Sequence, residues 1–421
     1  MESNEWYKVD NVAKVFLSSY NRRDTRCLRV SCTLKEPINP ILLTEALMAT
    51  IRQRPLFQVR IRRGFFWHYI EPTGAVPVVE EEHRRPCPLL YGPGYKGILH
   101  YEVTYYGCRI NFDIFHALSD GTGALDYLNS LVTNYLKLAH PADLADYTPQ
   151  IHSSEDMRQE DSFEHYYESR SRVSPGTKVP RTPFSYHIKG GCLPYNQLQF
   201  FRLSMPTEEL MDQVRAHHTT VTVYLGSLMM LAIRSNMPAK EKDKPVTISI
   251  PVNLRSYFES ETSRNFFNNV YVSHTFTGEE TLDSLIPEFD QHLREALTPE
   301  IIRKQMNSFS RLEHLVLMRL VPLAIKIPVI RFFSRIEDRK VTAVISNLGR
   351  VAPAQELTPY IEDYSAYCSH NGLFTTVTSF GGQTIMGFCS AYRHTDVLMN
   401  FIHLLRKEGL TLTVYASEVF R

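Results

Sequence analysis

The stretch FDIFHALSDGTGALDYL, residues 112–128, decides how the chain is read. A largely apolar run stops at His116, Asp120-Gly121 follows, and apolar residues then recur at Leu125, Leu128, Val132, Tyr135 and Leu136 with the spacing of one helix face. His116 therefore belongs to a strand-to-helix turn, where Gly121 is expected to permit tight backbone. A turn between two rigid elements can hold a side chain at a fixed place in a cleft, as catalysis demands.

Outward from this turn, the elements alternate. INPILLTEALMATIRQRP reads as a helix capped by Asn39, with Pro40 at its first position and Pro55 ending it. FQVRIRR and GFFWHYIEP read as paired strands, and HYEVTYY and CRINFDI as two more turning at Gly107, the second delivering the chain to His116. Residues 140 to about 198 are rich in proline, serine and mixed charge, with a helix expected only around 158–170. Beyond them, PTEELMDQVRAHH, TVYLGSLMMLAIRS and TDVLMNFIHLLRKEG read as helices. VTISIPVNL, NVYVSHTF, VTAVISNLG, YSAYCSH, LFTTVTSF, QTIMGFCSA and LTLTVYA read as strands. The mixed order predicts two α/β units of the α+β two-layer sandwich kind. The expected division is 1–150, a linker or crossover over 151–198, and 199–421.

Composition narrows the function classes. Hydrophobic residues at 43% and charged residues at 22% describe a globular enzyme rather than a disordered chain. The 46 basic and 45 acidic side chains leave a net charge of +1, which gives no electrostatic case for nucleic acid. The seven cysteines form no CxxC pair, so neither a zinc site nor a disulfide framework is expected. The N-terminus lacks an apolar signal region, and a reducing cytoplasm is the expected compartment. Residues 313–333, EHLVLMRLVPLAIKIPVIRFF, are interrupted by Arg319, Pro322, Lys326 and Pro328, too often for a transmembrane span. A buried helix broken at its prolines is the first reading; a channel wall or a surface touching membrane is the alternative.

Several motif readings fail on context. GPGYKG, residues 92–97, contains Pro93 and precedes a strand, whereas a dinucleotide fingerprint must open a helix. No GxSxG occurs, so Ser119 is not placed as a hydrolase nucleophile. His217-His218 reads as an exposed helix end. His116 and Asp120 could be two metal ligands on one helix face, but no third ligand lies nearby in sequence, and no metal is expected. The plain alternative is a core histidine satisfied by hydrogen bonds, with Asp120 as a helix N-cap.

Taken with the rest of the chain, FHALSDG resembles the HxxxDG motif of the superfamily of chloramphenicol acetyltransferase, condensation domains of nonribosomal peptide synthesis, plant BAHD acyltransferases, wax ester synthases and alcohol acetyltransferases. PVNLR (251–255) is similar to that superfamily's P-V-[ND]-x-R strand end, and NFFNNV (265–270) to its GN-x-x-x segment. SNLG (346–349) resembles an element of the bacterial alcohol acetyltransferase-like proteins, and RPLFQVRI the HP-x-L entry to an early strand. Phe115 stands where condensation domains carry a second histidine, and DFGWG of the plant enzymes is absent, so the alcohol acetyltransferase-like group is the nearest resemblance.

The resemblance implies two similar domains with a tunnel at their interface, where an acyl thioester and an acceptor meet at the histidine. It implies that His116 is the general base for a small-molecule alcohol or amine, with no permanently bound cofactor and with acyl-CoA or an acyl carrier protein as donor. It pairs Asp120 with Arg255 as a structural clamp that shapes the catalytic His116–Asp120–Gly121 loop; the competing role for Arg255 is binding a coenzyme A phosphate. Oxyanion donors are expected at the Gly121 N–H, at Asn347 and, more weakly, at Ser346, although Asn347 reads equally well as a turn residue before Gly349. Two alternatives stay open: a free-standing condensation-type enzyme forming amides, and a non-catalytic scaffold for an acyl carrier or another protein.

Overall fold

The computed structural model describes residues 6–147, 157, 159–168, 182–195, 197–314 and 320–416. Residues 151–156, 158, 169–181 and 196 of the expected linker, and 315–319 with Arg319, lie outside the described residues. Three sheets carry the architecture. A five-stranded sheet runs Ile361–Cys368, Cys27–Leu34, Arg109–Phe115, Tyr101–Tyr106, Val79–Glu81. A seven-stranded sheet runs Phe267–His274, Val246–Asn253, Ala343–Arg350, Leu373–Phe380, Gln383–Ser390, Gln199–Pro206, Thr413–Ala416. A small sheet of Tyr7–Lys8, His68–Pro72 and Val59–Arg63 completes the set.

The helix Gly121–Ala139 forms because Asp120 caps it and because Leu125, Leu128, Leu131, Val132, Tyr135 and Leu136 bury one face against the five-stranded sheet and the helix Pro40–Gln53. Each such side chain contributes about 1.5–3 kcal/mol relative to exposure. On the opposite face of the sheet, Arg29 and Asp113 stand in register across neighbouring strands and share a buried ion pair of 2.6 Å, joined by Glu82. Helix Val221–Ser235, buried along ten of its residues, is the centre of the other half, packing on Leu282–Ala296 and Asp396–Lys407.

One strand crosses between the halves. Ala343–Arg350 and Leu373–Phe380 are parallel neighbours in the large sheet, and the chain between them leaves to form Ile361–Cys368, antiparallel to Cys27–Leu34 in the other sheet. Tyr364, Ala366 and Cys368 thus complete the core of the first half from the far end of the sequence.

Three local expectations are corrected. The chain breaks at Pro322, which precedes the helix Leu323–Asp338, but Pro328 lies inside that helix. The helix is not buried, because Ile325, Val329, Phe332 and Phe333 face solvent. His217-His218 does end a helix and His218 is exposed, but His217 is half-buried, 3.0 Å from Asp283 and 3.6 Å from Glu408. The helix expected over 158–170 is shorter than that: Ser162–His165 form a helix, and Tyr166–Glu168 lie beyond its end. No helix among the described residues is long and apolar enough to cross a membrane.

Candidate active site

His116 is the first residue after the strand Arg109–Phe115, five before the helix Gly121–Ala139. Its backbone N–H donates to the carbonyl of Arg26 at 2.7 Å. Arg26 holds φ +50°, a left-handed conformation uncommon for a side-chain-bearing residue. The imidazole is half-buried between two phenyl rings, Phe16 at 4.7 Å and Phe267 at 5.6 Å between centroids. Burial against these rings pushes its pKa below the ordinary 6.5, and the opposing pull of the Asp120 carboxylate is smaller. The ring is therefore neutral near pH 7.

Which nitrogen of the ring is bare follows from a chain of polar contacts. Nδ1 lies 3.1 Å from Oδ1 of Asn265, whose Nδ2 donates to Oδ2 of Asp10 at 3.3 Å. Asp10 caps the helix Asn11–Ser19, accepting from the Ala13 N–H at 2.7 Å, and Arg264 stands 3.8 Å away. An ionised carboxylate only accepts hydrogen bonds, so it fixes the amide nitrogen of Asn265 toward itself and the amide oxygen toward His116. An oxygen facing Nδ1 requires the proton on Nδ1, which leaves Nε2 with a free lone pair. Burial raises the Asp10 pKa from 3.8 to about 6, with Arg264 opposing. Neither residue stood out in the sequence as part of the site. In the sequence Asn265 is only the head of NFFNNV, and the one signal for Asp10 is an aspartate ahead of a helical pattern.

Asp120 makes no hydrogen bond to His116 among the described residues. Its Oδ1 accepts from the Gly123 N–H at 3.0 Å as helix cap, and its Oδ2 from Arg255 Nη1 at 2.7 Å and the Phe266 N–H at 2.9 Å. The Arg255 guanidinium is saturated. Nη1 also reaches Asn253 Oδ1, Nε the Thr262 carbonyl, and Nη2 the carbonyls of Thr262 and Arg264. Five donors meet five contacts, leaving nothing for a phosphate.

At Gly121 the constraint is close approach rather than backbone angle, since a Cβ there would stand 2.6 Å from Cδ2 of the Leu348 side chain. Gly123 is tighter still: its Cβ would come within 2.2 Å of the Ser263 carbonyl. Ser119 is fully buried and donates to that same carbonyl at 2.6 Å, so it serves as a clasp between the halves. Asn347 donates one amide hydrogen to Thr222 Oγ1 at 3.1 Å and accepts at Oδ1 from the Gly349 N–H at 2.9 Å, across a strand irregularity where Gly349 has φ +76°. That is the turn role. Ser346 is half-buried one residue before it.

The site is thus assembled from both halves: His116, Asp120 and Gly121 from one, and Arg255, Asn265 and Leu348 from the other. Elsewhere Cys27, Cys87 and Asp113 converge within 4.8 Å. However, Asp113 is already held by Arg29 and the Cys87 N–H, and burial raises the Cys27 thiol pKa, opposite to what a metal thiolate needs.

No protein-family model and no curated protein matches the sequence. Solved structures do match the fold. TRI3 trichothecene 15-O-acetyltransferase from Fusarium sporotrichioides superposes with a TM-score of 0.64 at 11% identity, over 96% of this chain and 94% of that one. The first condensation domain of the calcium-dependent antibiotic synthetase gives 0.64 at 12% identity, over 98% and 100%. F. sporotrichioides TRI101, solved with coenzyme A and T-2, gives 0.60 at 10% identity, over 94% and 97%. The fold is shared with these two acetyltransferases and this condensation domain across nearly the whole chain.

Proposed function

We propose that the protein is an acyltransferase in which Nε2 of His116 is the general base. Nε2 takes the proton from an acceptor hydroxyl or amine as its oxygen or nitrogen attacks the thioester carbonyl. The C–S bond then breaks, and the proton passes from the imidazolium to the departing thiolate, leaving acyl product and free thiol. The observation that carries this reading is the Asp10–Asn265–His116 chain, which leaves a neutral ring with a bare Nε2 where the two halves meet. Such a base contributes on the order of 10²- to 10⁴-fold in rate; holding the two substrates together at the interface supplies much of the rest.

The tetrahedral oxyanion is assigned to the Gly121 N–H, at the positive end of the helix Gly121–Ala139. The Ser346 hydroxyl and the second amide hydrogen of Asn347 are further donors. The Asp120–Arg255 pair acts as the clamp that holds the His116 loop against the second half. Acyl-CoA is the proposed donor, supported by coenzyme A in TRI101, and a small-molecule alcohol the proposed acceptor. Phe115, in the position of a condensation domain's second histidine, is fully buried and stacked on Tyr91 at 4.9 Å, which speaks for ester over amide formation. Seven free thiols suit a reducing compartment, with the cytoplasm as the proposed one.

The test is free-thiol release from acetyl-CoA and longer acyl-CoAs across a panel of alcohols and amines, with products weighed by mass spectrometry. Acceptor-dependent release and an ester product are expected. Release from no pair by folded protein would overturn coenzyme A as the donor; amide products alone would favour the condensation-type reading.

A further inference from the structure

The helix Leu323–Asp338 buries a lysine beside Leu323 and turns four large apolar side chains outward. Lys326 is buried, its Nζ 3.3 Å from the centroid of the Trp67 ring and 3.1 Å from the Phe66 carbonyl. Facing outward instead are Ile325, Val329, Phe332 and Phe333, between 44% and 60% exposed. At about 100° per residue, Phe332, Ile325 and Val329 fall within an arc of roughly 60°. Beside the first turn of this helix stands the tip of the hairpin between Val59–Arg63 and His68–Pro72, with Phe65 70% and Phe66 39% exposed and their rings edge to face at 4.8 Å. The Leu323 N–H donates to the Phe65 carbonyl at 2.8 Å, so helix and hairpin tip are tied into one surface.

Cations flank it. Arg63, Arg331 and Arg335 are exposed, and no carboxylate pairs with any of them among the described residues. Arg63 and Arg331 both act electrostatically on the Tyr20 hydroxyl, which sets hairpin and helix charges near one point, and Arg331 Nε is steadied by the Ser18 carbonyl at 3.1 Å.

We propose that this surface docks on an anionic lipid bilayer, with the helix lying in the interface plane, its phenyl rings among the acyl chains and its arginines at the headgroups. An outward apolar arc bordered by unpaired basic residues is the pattern of an interfacial helix. A second copy of the chain is the weaker occupant. The six apolar side chains offer roughly 600 Å² if each would expose about 200 Å² when free, short of the ~800 Å² per partner of a stable interface. The helix packs on Asn11–Ser19, whose Phe16 touches His116, so a docked molecule has its bilayer face one helix away from the imidazole. Docking does not depend on the acyl-transfer reading, and it is measured without turnover.

The experiment is flotation of the full chain with vesicles of phosphatidylcholine alone or mixed in equal parts with phosphatidylserine. The wild type should float with mixed vesicles, about 10-fold less with phosphatidylcholine alone, and less as salt is raised. The double variant Phe332→Ser, Phe333→Ser should stay at the bottom with an unchanged melting temperature. Should that variant not fold, the pair Arg331→Ala, Arg335→Ala should still weaken binding to mixed vesicles about 10-fold. Wild type that never floats, folded serine variants that float equally well, or a wild-type dimer that those variants split into monomers would each overturn the proposal.

Discussion

An imidazole serves as a base only through a nitrogen without a proton, and only at a pH where the ring is neutral. Burial secures the second condition for His116, and Asn265 and Asp10 secure the first. Asn265→Leu removes the acceptor that holds the tautomer, so kcat should fall on the order of 10- to 100-fold with little change in KM; equal loss in both constants would reduce Asn265 to packing. Asp10→Asn should also lower kcat, because an amide presents either a donor or an acceptor to Asn265. Its effect on stability has a definite sign. Native Asp10 titrates near 6 against 3.8 for an ordinary aspartate, so its stabilising contribution is full below 3.8 and is lost as pH rises through about 6. The asparagine variant should therefore melt higher than wild type at pH 8, on the order of 3 °C, with the gap closing near pH 4. A lower melting point at pH 8 would show that the ionised carboxylate stabilises the fold. At this scale HALSDG was legible in the sequence, because a histidine ending a strand and an Asp-Gly opening a helix have local signatures. Asp10 was not, since its partner lies 255 positions away and no periodicity links them.

At the scale of elements, the His116 loop is clasped between strand, helix and the segment around Ser263. Gly123→Ala would press a methyl group into the Ser263 carbonyl, a backbone atom that cannot step aside, whereas at Gly121 the obstacle is the far end of a leucine side chain. Gly123→Ala should cost about 1–3 kcal/mol and Gly121→Ala less, read as denaturant midpoints; the reverse order would contradict the clasp. Most strands and helices were readable from periodicity and caps, as in the apolar positions of the helix Gly121–Ala139. The helix Leu323–Asp338 departs from the buried reading because its apolar residues lie all round it: Leu323 is buried, Ile325, Val329, Phe332 and Phe333 face out, and Lys326 shares the inner face over Trp67.

For the whole molecule, the exchanged strand Ile361–Cys368 joins the halves more firmly than a linker would. It covers the edge of Cys27–Leu34 and adds Tyr364, Ala366 and Cys368 to the first core. Residues 1–198 expressed alone should therefore show no cooperative unfolding transition, and coexpression with 199–421 should restore one. A sharp two-state melt of the first piece alone would mean that the strand is dispensable. The α+β class was legible from the order of elements, yet sequence order could not reveal that one strand of the second half belongs to the first sheet. Strand pairing is decided by which apolar faces meet, and YSAYCSH fits either sheet by pattern.

In the proposed reaction one neutral imidazole moves the proton. The most direct measurement is the pH dependence of kcat/KM for thiol release, in wild type and in His116→Gln. An acid limb below pH 6.5 with a flat region above it is expected, with a loss of roughly 10²- to 10⁴-fold in the variant at an unchanged melting temperature. A folded glutamine variant that retains wild-type turnover, or a wild-type rate with no limb on the acid side, would contradict it.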